Sequence, residues 1–536
     1  MRRYNYAVLA LFIVSFLVLF PSWDKYWAPY DEGNYLITAR MVTEGMVPYR
    51  DFLLAMYPPA YAFLLAFLFK LFGLHFLVTR MYNIVLFSLI STSVFCIARK
   101  IASFKYSLIS FLLCLGALAG WGEPPIPRPI WPGVALSLLG VLFILDFIES
   151  GKMTYFALSS LFTGATVIFR HDIGLLTFSA VALGILLYSV NAVEGKKNAF
   201  LVSKKALGFL VAYSAMPFLF SALLFIWLAK TGALEEAYRA MFTLPFTFNK
   251  WAAIPFPAFC TDFGMIFHRG CLFIKNNKFY IPPVVCAAGT MLFFMEVFAK
   301  RKLDKRTIAL LLLTVLAFFY LQQLVFRTDG NHLAVSFPPA AILFGTFFTY
   351  NAAATARPKP LFLKVFKIAV ISYVSLLMAL FFYQSLEKYI KDIYVKPFVK
   401  KNIEPVSFGQ GTVYVPADGR RAFVELAKYI SDNTQKGEMI YIGHLHHKVP
   451  QMGWFDLLYF VTDRLPAVRY HIMIPGFQSR DDIQEEMVAD LKRNNVRVIL
   501  LRDFGKTDAI GPLDRYIRGN YNLDRLIDNY HIYVRR

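Results

Sequence analysis

Charge is scarce in this chain. Of its 536 residues only 17% are Asp, Glu, Lys or Arg, while 57% are hydrophobic and 17% aromatic. Soluble domains carry about a quarter charged residues, so an ordinary soluble globular protein is excluded. Cysteine is scarce as well. Its five positions, 96, 114, 260, 271 and 286, contain no CxxC pair, which removes thiolate zinc sites and disulfide scaffolds. Cys260 and Cys271 fall in one loop and can pair if their compartment is oxidising; two free thiols is the plainer reading. No internal repeat or low-complexity tract is present. The first apolar run follows Arg2 and Arg3 and lacks a small-residue cleavage site, so it is expected to stay as an anchor.

What the chain has in quantity is apolar runs of membrane-crossing length. Eleven spans are expected, near 7–22, 76–98, 106–121, 131–148, 154–169, 173–191, 206–229, 279–298, 307–326, 333–351 and 362–383. The formal charge of +21 does not point to nucleic acid, because most of it lies in short loops between spans. Arg99, Lys100, Lys105, Lys152, Lys196, Lys197, Lys204, Lys205, Lys300 to Arg306 and Arg357 to Lys367 fall on one side if the spans alternate, and that side is cytoplasmic. The segment "YPPAYAFLLAFLFKLFG" at 57–73 is short, opens on Pro58-Pro59 and ends at Gly73. It is expected to lie along the outer surface, since counting it as a span would invert the charge pattern.

Residues 1–383 are therefore expected to form a membrane domain and 384–536 a second, outer domain. The tail has 23 basic and 19 acidic residues, the balance of a mixed soluble surface. "RRAFVELAKYISDNT" and "RDDIQEEMVADLKRNN" have helical apolar spacing, while "EMIYIG" and "VRVILLRDF" read as buried strands. The expected fold class is a polytopic α-helical membrane protein with a small C-terminal extracytoplasmic α/β domain.

The few charges that lie near the apolar runs collect at the outer face: Asp31, Glu32, Arg80, Glu123, Arg128, Arg170, His171, Asp172, Arg327, Asp329 and His332. Ionisable groups at membrane depth are costly and mark sites or pathways. Arginine suits phosphate because its planar fork donates two hydrogen bonds, and a nearby carboxylate can act as a general base. Plainer readings stand beside these. Asp31 or Glu32 can cap a helix, Arg80 can reach headgroups, and "RHD" at 170–172 can satisfy itself. "HLHH" at 444–447 is expected to be a solvated loop, without a fourth metal ligand.

"DEGNYLITARMVTEGMVPYRDF" after the first span, then "PPAYAFLLAFLFKLFG", then Arg80 at the head of a long span, resembles the GT-C superfamily of membrane glycosyltransferases. The resemblance is to the branch with protein O-mannosyltransferases and lipid A aminoarabinose transferases. It is ordered over residues 1–105 and looser through "GATVIFRHDIGLL", "RTDGNHLAVSFPPAAILFG" and "LLYFVTDRLPAVRY". It implies inverting transfer of a sugar from a polyprenyl-phosphate donor to an extracytoplasmic protein, glycolipid or cell-envelope glycan.

Carried onto these positions, Asp31 matches the catalytic acid of the first outer loop. Glu32 supports it or shares its proton, and Glu123 is a second carboxylate. Arg80, Arg170, Arg327 and His332 are the candidates for the donor phosphate, with Tyr35, Tyr57 and Asp172 lining the substrate pocket. Tyr57 departs from the family pattern, standing where lipid A-modifying members often carry a lysine, which puts a lipid A acceptor in doubt. The outer face offers Asp31, Glu32, Glu123 and Asp329 without EF-hand or zinc spacing, so no metal is assigned and a divalent cation stays open as cofactor. The expected location is a bacterial or archaeal plasma membrane, N-terminus cytoplasmic, in contact with membrane lipids. The competing readings are a transporter or flippase for lipid-linked saccharides and a non-catalytic scaffold. Interrupted midplane helices, the usual mark of a transporter, are not what this charge distribution suggests.

Overall fold

The computed structural model describes the chain apart from residues 1, 26–27, 29–30, 55, 192–198, 263–272, 276, 301–302, 350–360, 401–402, 449–455, 475 and 506–508. In chain order its first helices are α1 (Arg2–Leu19), α2 (Asp31–Thr43), α3 (Ala60–Phe72), α4 (Phe76–Ile101) and α5 (Phe104–Trp121). Next come α6 (Ile130–Ser150), α7 (Met153–Phe169), α8 (His171–Asn191), α9 (Ala199–Lys230), α10 (Leu234–Tyr238) and α11 (Leu244–Ala252). The helical part closes with α12 (Ile281–Lys300), α13 (Lys305–Phe326), α14 (Gly330–Phe347) and α15 (Leu361–Ile390).

Nine of the described helices are long and apolar enough to cross a membrane: α1, α4, α5, α6, α8, α9, α12, α13 and α15. The other two expected spans are helical but differ in kind. α7 has 17 residues. α14 carries Pro338 and Pro339 and is buried throughout from Leu333 to Phe347, so bundle neighbours rather than lipid surround it. α9 lies at the opposite extreme, with Leu207, Val211, Phe218 and Leu223 exposed as a lipid-facing helix requires.

Two hydrophobic cores result. One fills the bundle, drawing on α1, α4 to α8 and α12 to α15. The other lies at one end of it and joins α2, residues 49–54, α3, α10 and the tail domain. α3 shows how an interfacial helix is built. Tyr61, Leu65 and Phe69 face this second core, while Phe63, Phe67 and Leu71, each four residues on, are exposed. Gly73 at φ 85° ends it.

The tail domain opens with the hairpin β1 (Ile403–Phe408) and β2 (Gly411–Pro416), followed by α16 (Ala417–Asn433) and β3 (Met439–His444). It continues through α17 (Asp456–Thr462), β4 (Leu465–Pro466), α18 (Asp481–Arg493), β5 (Val498–Arg502), α19 (Pro512–Asn520), β6 (Tyr521–Ile527) and β7 (Tyr530–Arg535). The main sheet has the order β4-β3-β5-β7-β6, with β3 parallel to β4 and β5 and β7 antiparallel to β5 and β6.

Past residue 384, α15 runs on to Ile390 and the helical path continues through Lys391–Lys400 before β1. One expectation is corrected here. "HLHH" is not a solvated loop: His444 ends β3 and is buried, and His447 is buried against Tyr441 Oη at 2.6 Å and Asp514 Oδ1 at 2.6 Å. The strand is buried throughout from Ile440 to His444, so the polar residues at its end are carried into the core with partners waiting. Whether Cys260 and Cys271 pair lies outside the described residues, since Cys271 is not among them.

Candidate active site

Asp31 and Glu32 open α2, where the helix dipole favours acids. Adjacent helical residues point about 100° apart, and the two carboxylates go to different places. Glu32 is fully buried and grips Arg80 as a fork, Nε to Oε1 and Nη2 to Oε2, both at 2.7 Å. Arg80 is equally buried, and its Nη1 donates to the Trp23 carbonyl at 2.9 Å. Asp31 remains 42% exposed and meets Arg128 Nη1 at 2.9 Å through Oδ2. Arg128 also donates from Nη2 to Glu123 Oε2 at 2.8 Å. One guanidinium thus bridges two carboxylates from separate segments.

The loop that supplies Glu123 and Arg128 is held from below. Asn83 of α4, fully buried, donates to the carbonyls of Pro124 at 2.6 Å and Ile126 at 3.0 Å. Glu123 itself sits at φ 51°, a strained conformation for a residue with a side chain.

Arg170 joins α7 to α8 in extended conformation. Its Nε and Nη2 bond the two oxygens of Asp172 at 2.8 and 2.6 Å, and Gln323 of α13 donates to the same carboxylate at 2.9 Å. The "RHD" stretch does satisfy itself in this sense, yet Arg170 Nη1 has no acceptor among the described residues. The guanidinium lies 4.6 Å from the centre of the Tyr57 ring. Gly133 makes room for it: a Cβ there would come 2.9 Å from Arg170 Cβ. Tyr35 lies in the field of Tyr57, Asp31, Arg128 and Arg170, and burial pushes its hydroxyl far above the usual phenol range. It meets Tyr61 edge-on at 5.9 Å, and the Tyr61 hydroxyl is buried with no hydrogen-bond partner among the described residues.

Arg327, Asp329 and His332 form a third group. Asp329 caps α14, accepting from the His332 backbone N–H at 3.0 Å, and meets the His332 ring Nδ1 at 2.8 Å. Arg327 Nε donates to its other oxygen at 2.8 Å. Burial raises the Asp329 carboxyl, but His332 and then Arg327 outweigh it and bring it down to about 2.

Two of the expected site residues are engaged with each other. The Arg80 fork is spent on Glu32 inside the fold, and both Glu32 oxygens bond Arg80. Arg128, among the polar residues noted in the sequence but given no role, is instead the partner of Asp31 and Glu123. Tyr61, Asn83 and Gly133 had no signal beyond their residue type.

The tail domain also braces this edge. Gly33, directly after the two acids, lies so close to α17 that a Cβ would fall 2.2 Å from the Leu457 nitrogen. Arg40 of α2 meets Asp463 at 3.1 Å, and the Leu53 N–H donates to the Arg469 carbonyl at 2.9 Å.

Among the described residues no three His, Cys, Asp or Glu side chains gather as metal ligands. The two carboxylates that could begin such a set, Asp31 and Glu123, share the Arg128 cation between them.

The sequence matches no family model and no curated protein. Solved structures do resemble it. ArnT from Cupriavidus metallidurans in the apo state aligns over 99% of this chain and 98% of its own, with a TM-score of 0.54 and 14% identity. The archaeal oligosaccharyltransferase AglB from Archaeoglobus fulgidus, in complex with an inhibitory peptide and a dolichol-phosphate, aligns over 93% of this chain and 69% of its own, with a TM-score of 0.50 and 11% identity. The Archaeoglobus fulgidus oligosaccharyltransferase solved with Zn and sulfate aligns over 92% and 68%, with a TM-score of 0.51 and 11% identity. This chain has the GT-C fold.

Proposed function

We propose that this protein is an inverting membrane glycosyltransferase that moves a sugar from a polyprenyl-phosphate donor to an extracytoplasmic acceptor, with Asp31 as general base. The observation that carries the reading is the division of labour at the head of α2. Glu32 is locked inside on Arg80, while Asp31 stays half exposed on Arg128 at the rim where the bundle meets the tail domain. A carboxylate held in place and still open to solvent is what proton removal from an acceptor requires. The GT-C fold and the dolichol-phosphate bound to the Archaeoglobus enzyme support a lipid-phosphate donor.

In the reaction the acceptor hydroxyl gives its proton to Asp31 as its oxygen attacks the anomeric carbon. The bond from that carbon to the phosphate oxygen breaks on the opposite face, and its electron pair leaves with the polyprenyl phosphate. Arg170 offers its unengaged Nη1 to the growing phosphate charge, steadied by the Tyr57 ring beneath it. Arg128 keeps Asp31 oriented. The exposed apolar face of α3, Phe63, Phe67 and Leu71, walls the lipid tail. No step is assigned to a metal. This end of the bundle faces outward, with the N-terminus of α1 in the cytoplasm of a plasma membrane.

The direct test of displacement is the anomeric configuration of the product. The purified chain in vesicles, given an isotopically labelled polyprenyl-phosphate sugar and a membrane extract as the acceptor source, is expected to form a product of inverted configuration by NMR. A retained configuration would rule out single displacement with Asp31 as base.

A further inference from the structure

Every arginine at the candidate active site is held by a carboxylate. Arg80 bonds Glu32, Arg128 bonds Asp31 and Glu123, Arg170 bonds Asp172 and Arg327 bonds Asp329. A different balance holds beside the 122–129 loop, where α5 and α15 end and α12 begins. Lys278, in the single turn that leads into α12, is only 5% exposed. Its Nζ stands 3.5 Å from the centre of the Trp121 ring and 5.1 Å from that of Phe279. Lys388 of α15 stands 5.5 Å from the same indole. Lys388 is paired with Asp392 at 2.9 Å, but Lys396 draws on that one carboxylate as well, at 2.5 Å. Among the described residues no carboxylate bonds Lys278.

The surroundings hold this ammonium in place. The Trp121 indole N–H donates to Ser385 Oγ at 3.0 Å, and Gly330 packs so close that a Cβ would fall 2.5 Å from the ring. Asn277, fully buried, accepts from the Cys260 backbone N–H at 2.9 Å and donates to its carbonyl at 3.1 Å. Tyr280 donates to the Pro257 carbonyl at 2.7 Å. The turn that carries Lys278 is therefore anchored on both sides, at Asn277 and at Tyr280. A buried cation without a counter-ion is costly, and an indole face returns only part of that cost. An arriving anion completes the site, and an ammonium on a flexible stem binds phosphate as a point charge.

We propose that Lys278 and Lys388, over the Trp121 face, form a second anion site that takes the phosphate of a membrane lipid headgroup, separate from Arg170. A bilayer phospholipid and a lipid-linked saccharide share this chemistry. The inference stands apart from the catalytic reading, since it concerns binding alone.

The test uses the full chain in phosphatidylcholine nanodiscs, titrated with phosphatidylglycerol, with polyprenyl phosphate and with uncharged polyprenol, and retained lipid is read by native mass spectrometry. Both anionic lipids are expected to be retained and polyprenol lost. Lys278→Met is expected to weaken retention at least tenfold and Lys278→Arg to restore it, while Arg170→Gln leaves phosphatidylglycerol retention in place. Preference for polyprenyl phosphate over phosphatidylglycerol makes the occupant a lipid-linked substrate; equal retention makes it bulk headgroup. If Lys278→Met does not fold, Lys388→Gln, at a partly exposed position, is expected to weaken the same binding. Unchanged retention of phosphatidylglycerol in the folded variant overturns the proposal.

Discussion

Glu32 and Asp31 differ by one position and by almost everything else. Because Glu32 and Arg80 are both fully buried, removing one partner strands a charge in the fold, at a cost of about 3–5 kcal/mol. Glu32→Gln is therefore expected to lower the Tm sharply in detergent, whereas Asp31→Asn, at the exposed rim, leaves it nearly unchanged. Equal Tm values for the two variants would show that the buried pair is not structural. A pH dependence follows from His471, fully buried beside Phe52. Burial pushes its pKa from 6.5 down to about 4. Above pH 6.5 both folded and unfolded chains carry it neutral, and it has no effect. Between pH 6.5 and 4 the unfolded chain takes up a proton that the folded chain refuses, so stability falls as pH falls, by about 3 kcal/mol in full. His471→Gln is expected to flatten the fall in Tm between pH 7 and 4.5; an unchanged slope would remove His471 as its source.

At the scale of elements, the sequence reveals the apolar runs but not the pairing of charges between them. The spans are legible because hydropathy is local, and the pair Arg170–Asp172 because its members stand two positions apart. The bond from Glu32 to Arg80 crosses 48 positions, and Asp31 meets an arginine on a different loop. Adjacency in a helix guarantees that two acids diverge, but which one turns inward depends on where Arg80 and Arg128 lie in space. Gly33 is similar: "DEG" reads as a turn or a helix start, while the reason for the glycine is α17, supplied more than four hundred residues later. Gly33→Ala places a methyl against the Leu457 backbone and is expected to displace the head of α2. A shift of about 1 Å there costs roughly a hundredfold in turnover, with the chain still folded. Undiminished turnover in Gly33→Ala would show that α17 does not set the position of Asp31.

On the scale of the whole molecule, two cores divide the work. The bundle core fixes α4, α6, α8 and α13, which carry or support Arg80, Arg170 and Gln323. The second core ties α2, α3 and the tail domain together at one end, so the proposed base is positioned by the tail as much as by the membrane. Composition changes near residue 384, whereas α15 runs on to Ile390. The proposed second anion site lies against Trp121 at the end of α5, and with the proposed role of Arg170 it would give the protein two places for lipid phosphate rather than one. The measurement that bears most directly on the central claim is donor turnover in reconstituted vesicles, following release of labelled polyprenyl phosphate by the native chain and by Asp31→Asn with binding of the donor measured alongside. The expected result is that the variant binds donor as the native chain does and loses about 10²-fold or more of its turnover. Equal turnover by the two proteins would contradict it and leave Asp31 no more than the first residue of a helix.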